Sequence, residues 1–132
     1  MTKNEGFHLP SRAERDALLV GFAMRRKVLY GAAFDVVRTQ APVDLNDPAA
    51  IAAALDALMV YEIKSTNKTR TREDFSGYFF DLTTAELLVA QSLGEHYKFA
   101  FVNTITGSWL ELTLNQVFAR AKRVYPKWAI TF

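Results

Sequence analysis

The feature that most constrains the fold of this chain is an apolar, β-branched run that contains one acid and one base. The range Met59–Thr66 reads MVYEIKST, and this composition favours a β-strand. Because strand side chains alternate between two faces, Glu62 and Lys64 share a face, with their Cα atoms roughly 6–7 Å apart. Charges in so apolar a strand are costly to bury unless they are paired or bind a metal. The run therefore predicts a strand that carries a charged site.

An acid beside a base on one strand face matches the chemistry of metal-dependent phosphodiester cleavage. The carboxylate of Glu62 could hold a divalent cation, and the ammonium of Lys64 could stabilise a nucleophile or a charged phosphate. The residues alone leave an alternative open, in which the two side chains form a surface pair on a half-exposed strand.

Length and composition restrict the class of protein. The chain has 132 residues, which predicts one domain over residues 1–132 with a substantial core. Half of the residues are hydrophobic and 13% are aromatic, which argues against disorder. The chain has no cysteine, so disulfides, zinc–thiolate sites and thiol catalysis are excluded.

Charge and hydropathy set expectations for location and partners. No apolar run is long enough to span a membrane, and residues 1–10 lack the apolar core of a signal peptide. We therefore expect a cytoplasmic protein with no membrane partner. The net charge of +2 permits nucleic-acid binding but does not by itself imply it.

The remaining patterns alternate between helix and strand. Capping boxes begin at Ser11, Thr83 and Thr113, and Asp47 precedes a proline at the first position of another helix. These signals predict a mixed central β-sheet flanked by helices, an α/β fold. The predicted helices cover residues 11–30, 47–58, 83–93 and 113–124, and the predicted strands cover residues 34–37, 59–65, 78–82, 97–102, 109–112 and 128–132.

Four pieces of sequence occur in a distinctive order between residues 60 and 102. They are YEIKST at 61–66, GYFFDLTTAE at 77–86, Ala90, and HYKFAFV at 96–102. This order resembles the PD-(D/E)xK nuclease superfamily and, within it, the C-terminal domain family named after the plant protein NO VEIN. The resemblance covers about a third of the chain and implies a restriction-endonuclease-like fold.

The resemblance also implies a function and a site. It implies an endonuclease that requires Mg²⁺ (or Mn²⁺), cleaves DNA and acts in defence or repair. Glu62 and the carbonyl of Ile63 would be metal ligands, and Lys64 would position or activate the attacking water. The superfamily also has an upstream aspartate, for which Asp35 is the best match because it lies in a strand-like apolar setting. Its rivals are Asp44, Asp47 and Asp56.

Several of these residues have simpler structural explanations. Asp47 fits a helix N-cap, and Asp35 could be a surface residue of its strand. Glu86 is the third residue of a capping box, although it could also face the site. The basic side chains of Lys68, Arg70 and Arg72 follow the predicted strand. They could contact phosphates of a nucleic acid or belong to a solvated loop.

Two classes of function therefore remain. The first is the Mg²⁺-dependent endonuclease. The second is a catalytically silent nuclease-like domain that binds nucleic acid or protein. A single active site cleaves a single strand, so cutting both strands of a duplex would require a homodimer or a larger protein assembly.

Overall fold

The computed structural model describes residues 5–132. Residues 1–4, part of the stretch considered above for a targeting signal, lie outside the described residues. In order, the elements are β1 (Phe7–His8), α1 (Arg12–Met24), β2 (Val36–Thr39), α2 (Pro48–Ala53), β3 (Leu58–Thr66), α3 (Thr84–Leu93), β4 (Tyr97–Asn103), β5 (Trp109–Leu112) and α4 (Leu114–Arg120).

The five strands form one mixed sheet in the order β1-β2-β3-β4-β5. Strands β3 and β4 run parallel, and the other neighbouring pairs are antiparallel. Helix α3 lies in the connection from β3 to β4, as a parallel pair requires. The predicted mixed α/β fold is confirmed at this level, with β3 at the centre of the sheet.

Local sequence signals explain where the helices begin and end. All three predicted capping boxes are present, and the side chain of Asp47 caps α2. Helix α1 ends at Met24 instead of near residue 30 because Arg26 adopts a positive φ of 57°. The backbone N–H groups of Arg26 and Lys27 then donate to Ala23 and Phe22, which is the pattern of a Schellman C-cap.

The predicted strand over residues 78–82 is wrong, because these residues belong to no strand. Tyr78 and Phe80 stack on each other with ring centroids 5.8 Å apart, and both pack against Phe101 of β4. These rings therefore cover the sheet, and residues 78–82 do not add a strand to it. Phe79, which lies between Tyr78 and Phe80, points outward and is 72% exposed.

The predicted edge strand over residues 128–132 is also wrong, and α4 ends at Arg120 instead of near residue 124. A strand requires a neighbour that accepts and donates its backbone hydrogen bonds, and the apolar pattern of residues 128–132 could not specify one. Strand β1, which pairs with β2, was missed because two residues carry too short a pattern to recognise.

The two faces of the sheet differ. All four helices bury apolar side chains on one face, in the larger of two clusters. The smaller cluster lies on the other face and is built around Phe7, Tyr61 and Ala100, all from strands. Among residues 5–132 no helix is both long enough and apolar enough to cross a membrane.

Candidate active site on the helix-covered face of the sheet

The two charged residues of β3 lie on the face that the helices cover. Glu62 and Lys64 alternate with Tyr61 and Ile63, which face the smaller cluster. Their side chains are only 13% and 14% exposed. The interpretation as an exposed surface pair is therefore wrong, and both charges need partners within the protein.

Asp35 is one of these partners. The antiparallel register pairs Val36 with Tyr61, so its continuation sets Asp35 opposite Glu62. A carboxylate oxygen of Asp35 accepts a hydrogen bond of 2.7 Å from the backbone N–H of Ile63. The carboxylate of Asp35 is also near enough to Glu62 to raise the pKa of that residue.

Arg15 of α1 holds the chain that leads into Asp35. Its guanidinium donates to the backbone carbonyls of Gly31, Phe34 and Asp35 at 3.0–3.1 Å. It also lies 4.5 Å from the centroid of the Phe34 ring, within cation–π range. The sequence does not indicate this role for Arg15, because its acceptors are backbone carbonyls, which every residue has.

Glu86 is the second partner, and it comes from the N-terminal turn of α3. The residue is 3% exposed, and its carboxylate lies 2.6 Å from the ammonium of Lys64. The same ammonium is 3.8 Å from Glu62. Glu86 also completes the capping box with Thr83, so both roles considered for it, helix cap and neighbour of the site, are present at once.

Burial and the neighbouring acids change the protonation of Glu62. Burial is the largest cause, followed by the neighbouring carboxylates of Asp35 and Glu86, and together they raise the pKa of Glu62 to about 8. The positive charge of Lys64 opposes this shift without cancelling it. A bound cation between Asp35 and Glu62 would relieve the same repulsion.

Tyr97 of β4 lies beneath the cluster. It is fully buried, and its hydroxyl donates to the backbone carbonyl of Ala33. Burial and the charges of Glu62, Glu86 and Asp35 raise the pKa of Tyr97, so its hydroxyl stays protonated. The tyrosine therefore adds no charge to the acidic residues above it.

The oxygen ligands at this point fit a hard divalent cation. Within residues 5–132 no three His, Cys, Asp or Glu side chains are placed to hold a metal together. However, Mg²⁺ in proteins is held by one or two carboxylates and keeps several waters, and Asp35 and Glu62 form such a pair. In a β-strand the N–H and the carbonyl of one residue point to the same side. Because the N–H of Ile63 points toward Asp35, its carbonyl also points toward this part of the chain, just before β2.

The rival aspartates lie elsewhere. Asp47 accepts a bond of 3.0 Å from the N–H of Ala49 and caps α2. Asp44 accepts from the N–H of Asn46 within a turn. Asp56 lines a polar pocket with His96, near the start of β3 and β4. Of the four aspartates considered, only Asp35 adjoins Glu62.

The basic loop directly follows β3. Lys68, Arg70 and Arg72 are all exposed, as either interpretation of them requires. The loop is anchored at both ends, because the side chain of Asn103 donates to the carbonyl of Lys68 and the guanidinium of Arg120 donates to the carbonyl of Asp74. Its cations are thus held near the end of the strand that carries Lys64.

Comparisons with known proteins add no relative. No family model matches the chain, no curated protein matches it, and no solved structure matches it. The geometry of the site and the resemblance described above are therefore what indicate a function.

Proposed function

We propose that this chain is a Mg²⁺-dependent (or Mn²⁺-dependent) endonuclease with a restriction-endonuclease-like fold, which hydrolyses phosphodiester bonds in DNA. The observation that carries the proposal is the meeting of Asp35, Glu62 and Lys64 where β2 adjoins β3. Ionisable side chains from β3 and from the residue before β2 meet there, and Glu62 and Lys64 are only 13% and 14% exposed, which is typical of a functional site. We place its activity in the cytoplasm, in defence or repair.

The carboxylates of Asp35 and Glu62 and the carbonyl of Ile63 would hold the metal. When bound, Mg²⁺ supplies Lewis-acid polarisation of the phosphate and lowers the pKa of a coordinated water. The protein keeps Asp35 in place through its bond to the N–H of Ile63. It keeps the backbone around Asp35 in place through the guanidinium of Arg15.

Lys64 would act where negative charge develops in the transition state. Its ammonium has three donors, and Glu86 takes one of them at 2.6 Å. The remaining donors can reach the attacking water or a non-bridging phosphate oxygen. Because this interaction strengthens as charge builds up, it lowers the barrier more than it increases substrate affinity.

The loop with Lys68, Arg70 and Arg72 would bind phosphates beside the scissile bond. Contacts to phosphates supply most of the affinity of a DNA-binding protein that does not read sequence, and each contact contributes about one unit to the slope of log K against log salt. Replacing Arg70 or Arg72 by alanine should therefore flatten the salt dependence of DNA binding by about that amount, and this can be measured by fluorescence anisotropy at several salt concentrations.

The test of catalysis is a plasmid-nicking assay with Mg²⁺ or Mn²⁺. Lys64→Ala should lower the single-turnover rate by roughly 10²–10³, a loss of transition-state stabilisation typical of one charged donor, while DNA affinity stays within a few-fold. Glu62→Gln should abolish metal-dependent nicking. Lys98→Ala is the matched control, because Lys98 is an ion-paired lysine of the adjacent strand, 3.0 Å from Glu111, and should leave the rate unchanged.

The alternative is a catalytically silent nuclease-like domain that binds nucleic acid or protein. It would be favoured if the wild type showed no metal-dependent nicking and Lys64→Ala weakened DNA binding as much as Arg70→Ala and Arg72→Ala. Nicking that stops at one strand at low protein concentration, and cuts both strands at high concentration, would instead indicate a homodimer.

A further inference from the structure

The chain after β5 has an unusual charge distribution. Residues 113–132 contain four basic side chains and no acidic one, whereas the chain as a whole has a net charge of only +2. The rest of the protein is therefore net negative, and the positive charge is concentrated at the end of this sequence. The four side chains belong to Arg120, Lys122, Arg123 and Lys127.

Large aromatic side chains alternate with these cations. Tyr125 is 61% exposed and Trp128 is 85% exposed, although each could bury a large apolar area if it packed on the sheet. Exposed rings between positive charges are the combination with which proteins bind single-stranded nucleic acid, since phosphates contact the cations and bases stack on the rings.

Two polar contacts place this stretch beside the candidate active site. The guanidinium of Arg120 donates to the backbone carbonyl of Asp74, and the ammonium of Lys127 lies 2.8 Å from the carboxylate of Asp81. Both partners belong to residues 67–83, which connect the strand of Lys64 to the helix of Glu86. The basic stretch therefore runs along the segment that borders the site.

The connecting segment also carries exposed cations and an exposed ring, but its three exposed acids, Glu73, Asp74 and Asp81, make its own net charge zero, so the net positive charge of the two segments comes from residues 113–132. Besides its exposed cations it presents the ring of Phe79, which is 72% exposed. Exposed cations and exposed rings on two neighbouring segments form a surface that we call the basic–aromatic surface. It consists of Lys68, Arg70, Arg72, Phe79, Arg120, Lys122, Arg123, Tyr125, Lys127 and Trp128.

We propose that the basic–aromatic surface binds a single-stranded stretch of DNA that leads into the active site, an inference that rests on the proposed nuclease function. Unpaired bases stack on Tyr125 and Trp128, and the phosphates between them contact Lys122 and Arg123. A continuous duplex gains less from this surface because its bases are already stacked on one another. The favoured substrate is thus DNA with an unpaired strand next to the scissile bond.

The experiment measures binding without cleavage. A fluorescein-labelled oligothymidine of about 12 nucleotides, a length within the range of single-strand sites, is titrated with protein in EDTA and followed by anisotropy, with a duplex of equal length as comparison. Trp128→Ala should weaken binding of the single strand about tenfold and binding of the duplex much less. Lys122→Ala combined with Arg123→Ala should flatten the single-strand salt slope by about 1.4.

Matched controls use exposed residues far along the chain from this surface. Tyr30→Ala removes a ring that is 43% exposed, and Arg12→Ala with Lys27→Ala removes two exposed cations. Both controls should bind the oligonucleotide as the wild type does. Equal losses in the controls, or equal effects of Trp128→Ala on single strand and duplex, would overturn the proposal.

Failure of this proposal is separable from failure of the nuclease. Metal-dependent nicking that requires Glu62 and Lys64, together with single-strand binding that Trp128→Ala leaves unchanged, would reject the basic–aromatic surface alone, whereas single-strand binding that requires Trp128, without nicking by the wild type, would reject the enzyme alone. If Trp128→Ala instead abolished concentration-dependent self-association in sedimentation and left oligonucleotide binding intact, the surface would be an interface between copies of this chain.

Discussion

At the scale of single residues, Glu62 and Glu86 compete for the ammonium of Lys64, because all three side chains lie close together. Lys64 has two acidic neighbours, at 2.6 Å and 3.8 Å, and the nearer is Glu86. Glu62 is left with the more distant contact to the ammonium and with the carboxyl group of Asp35. Burial is the largest cause of the raised pKa of Glu62, and these neighbours add to it, so the protonation of Glu62 reports on the site.

The pH dependence of stability should reveal this. Because the folded pKa of Glu62 is about 8 and its ordinary value is 4.5, the folded protein holds a proton that the unfolded chain has released between these pH values. Stability that is present below pH 4.5 is therefore lost as the pH rises toward 8. Glu62→Gln should remove this loss. The free energy of unfolding of the variant, measured with urea in the presence of EDTA, should therefore increase relative to that of the wild type as the pH rises.

Glu14 provides a comparison of opposite sign. The backbone of Ser11 and the ring of His8 lower the pKa of Glu14, so its contribution is present above the ordinary carboxyl pKa and is lost as the pH falls. The free energy of unfolding of Glu14→Gln should therefore decrease relative to that of the wild type as the pH rises through the acidic range. A Glu62→Gln profile that runs parallel to that of the wild type would contradict the assigned protonation.

At the scale of elements, three of the four ionisable residues of the site lie at or near the end of an element, and Glu62 lies in the middle of β3. Asp35 precedes the first residue of β2, Glu86 is in the first turn of α3, and Lys64 is near the end of β3. Elements must therefore pack closely for the site to form. Helices α1 and α2 pack closely at Gly21 of α1, where an added Cβ would lie 2.7 Å from Ile51 of α2.

Gly21→Ala should therefore destabilise the protein even though alanine favours helix more than glycine does. Overpacking costs about 1–3 kcal/mol, against a gain in helix propensity of up to about 1 kcal/mol. The neighbouring carbonyl of Pro48, 2.9 Å from the added atom, cannot move aside as a flexible side chain could. Thermal unfolding measures the change.

Gly31→Ala is the matched control for this change. An added Cβ at Gly31 would meet nothing within 4 Å, so this substitution should be neutral or slightly stabilising. Equal stability of Gly21→Ala and Gly31→Ala would show that α1 and α2 can move apart without cost.

At the scale of the whole molecule, helices cover one face of the sheet and the site lies under them. Asp35 before β2, Glu62 of β3 and Glu86 of α3 meet only when the sheet and α3 are assembled. A cation that binds this arrangement stabilises the folded state and not the unfolded one. The binding of Mg²⁺ can therefore be detected without any nucleic acid.

Mg²⁺ should raise the Tm of the wild type by a few degrees. At ten times its Kd a ligand contributes about 1.4 kcal/mol of stability, which a domain of this size shows as a shift of that order. Asp35→Asn and Glu62→Gln should each remove most of the shift in differential scanning fluorimetry with Mg²⁺ or EDTA.

Asp47→Asn is the control for the metal measurement. Asp47 caps α2 away from the site, and asparagine is an equally good N-cap. This variant should therefore keep the full shift with Mg²⁺. A shift that is equal in all four proteins would indicate nonspecific binding of the cation and count against the metal site.

Elements with local signals could be predicted from the amino-acid sequence. Capping boxes placed the starts of α1, α3 and α4, and alternation placed β3 and β4, because caps and periodicity depend on residues a few positions apart. The sharing of a face by Glu62 and Lys64 followed from the same geometry. The resemblance supplied Asp35 as the preferred partner and left its rivals open.

Which of these residues meet depends on contacts between elements that are distant in the chain. The proximity of Asp35 to Glu62 depends on strand pairing over a long stretch of chain, and the contact between Lys64 and Glu86 depends on how α3 packs. The same holds for residues 78–82, whose apolar pattern fits a strand but whose rings pack on β4. A local pattern states what a residue can do, and the register and packing of distant elements determine which partner it meets.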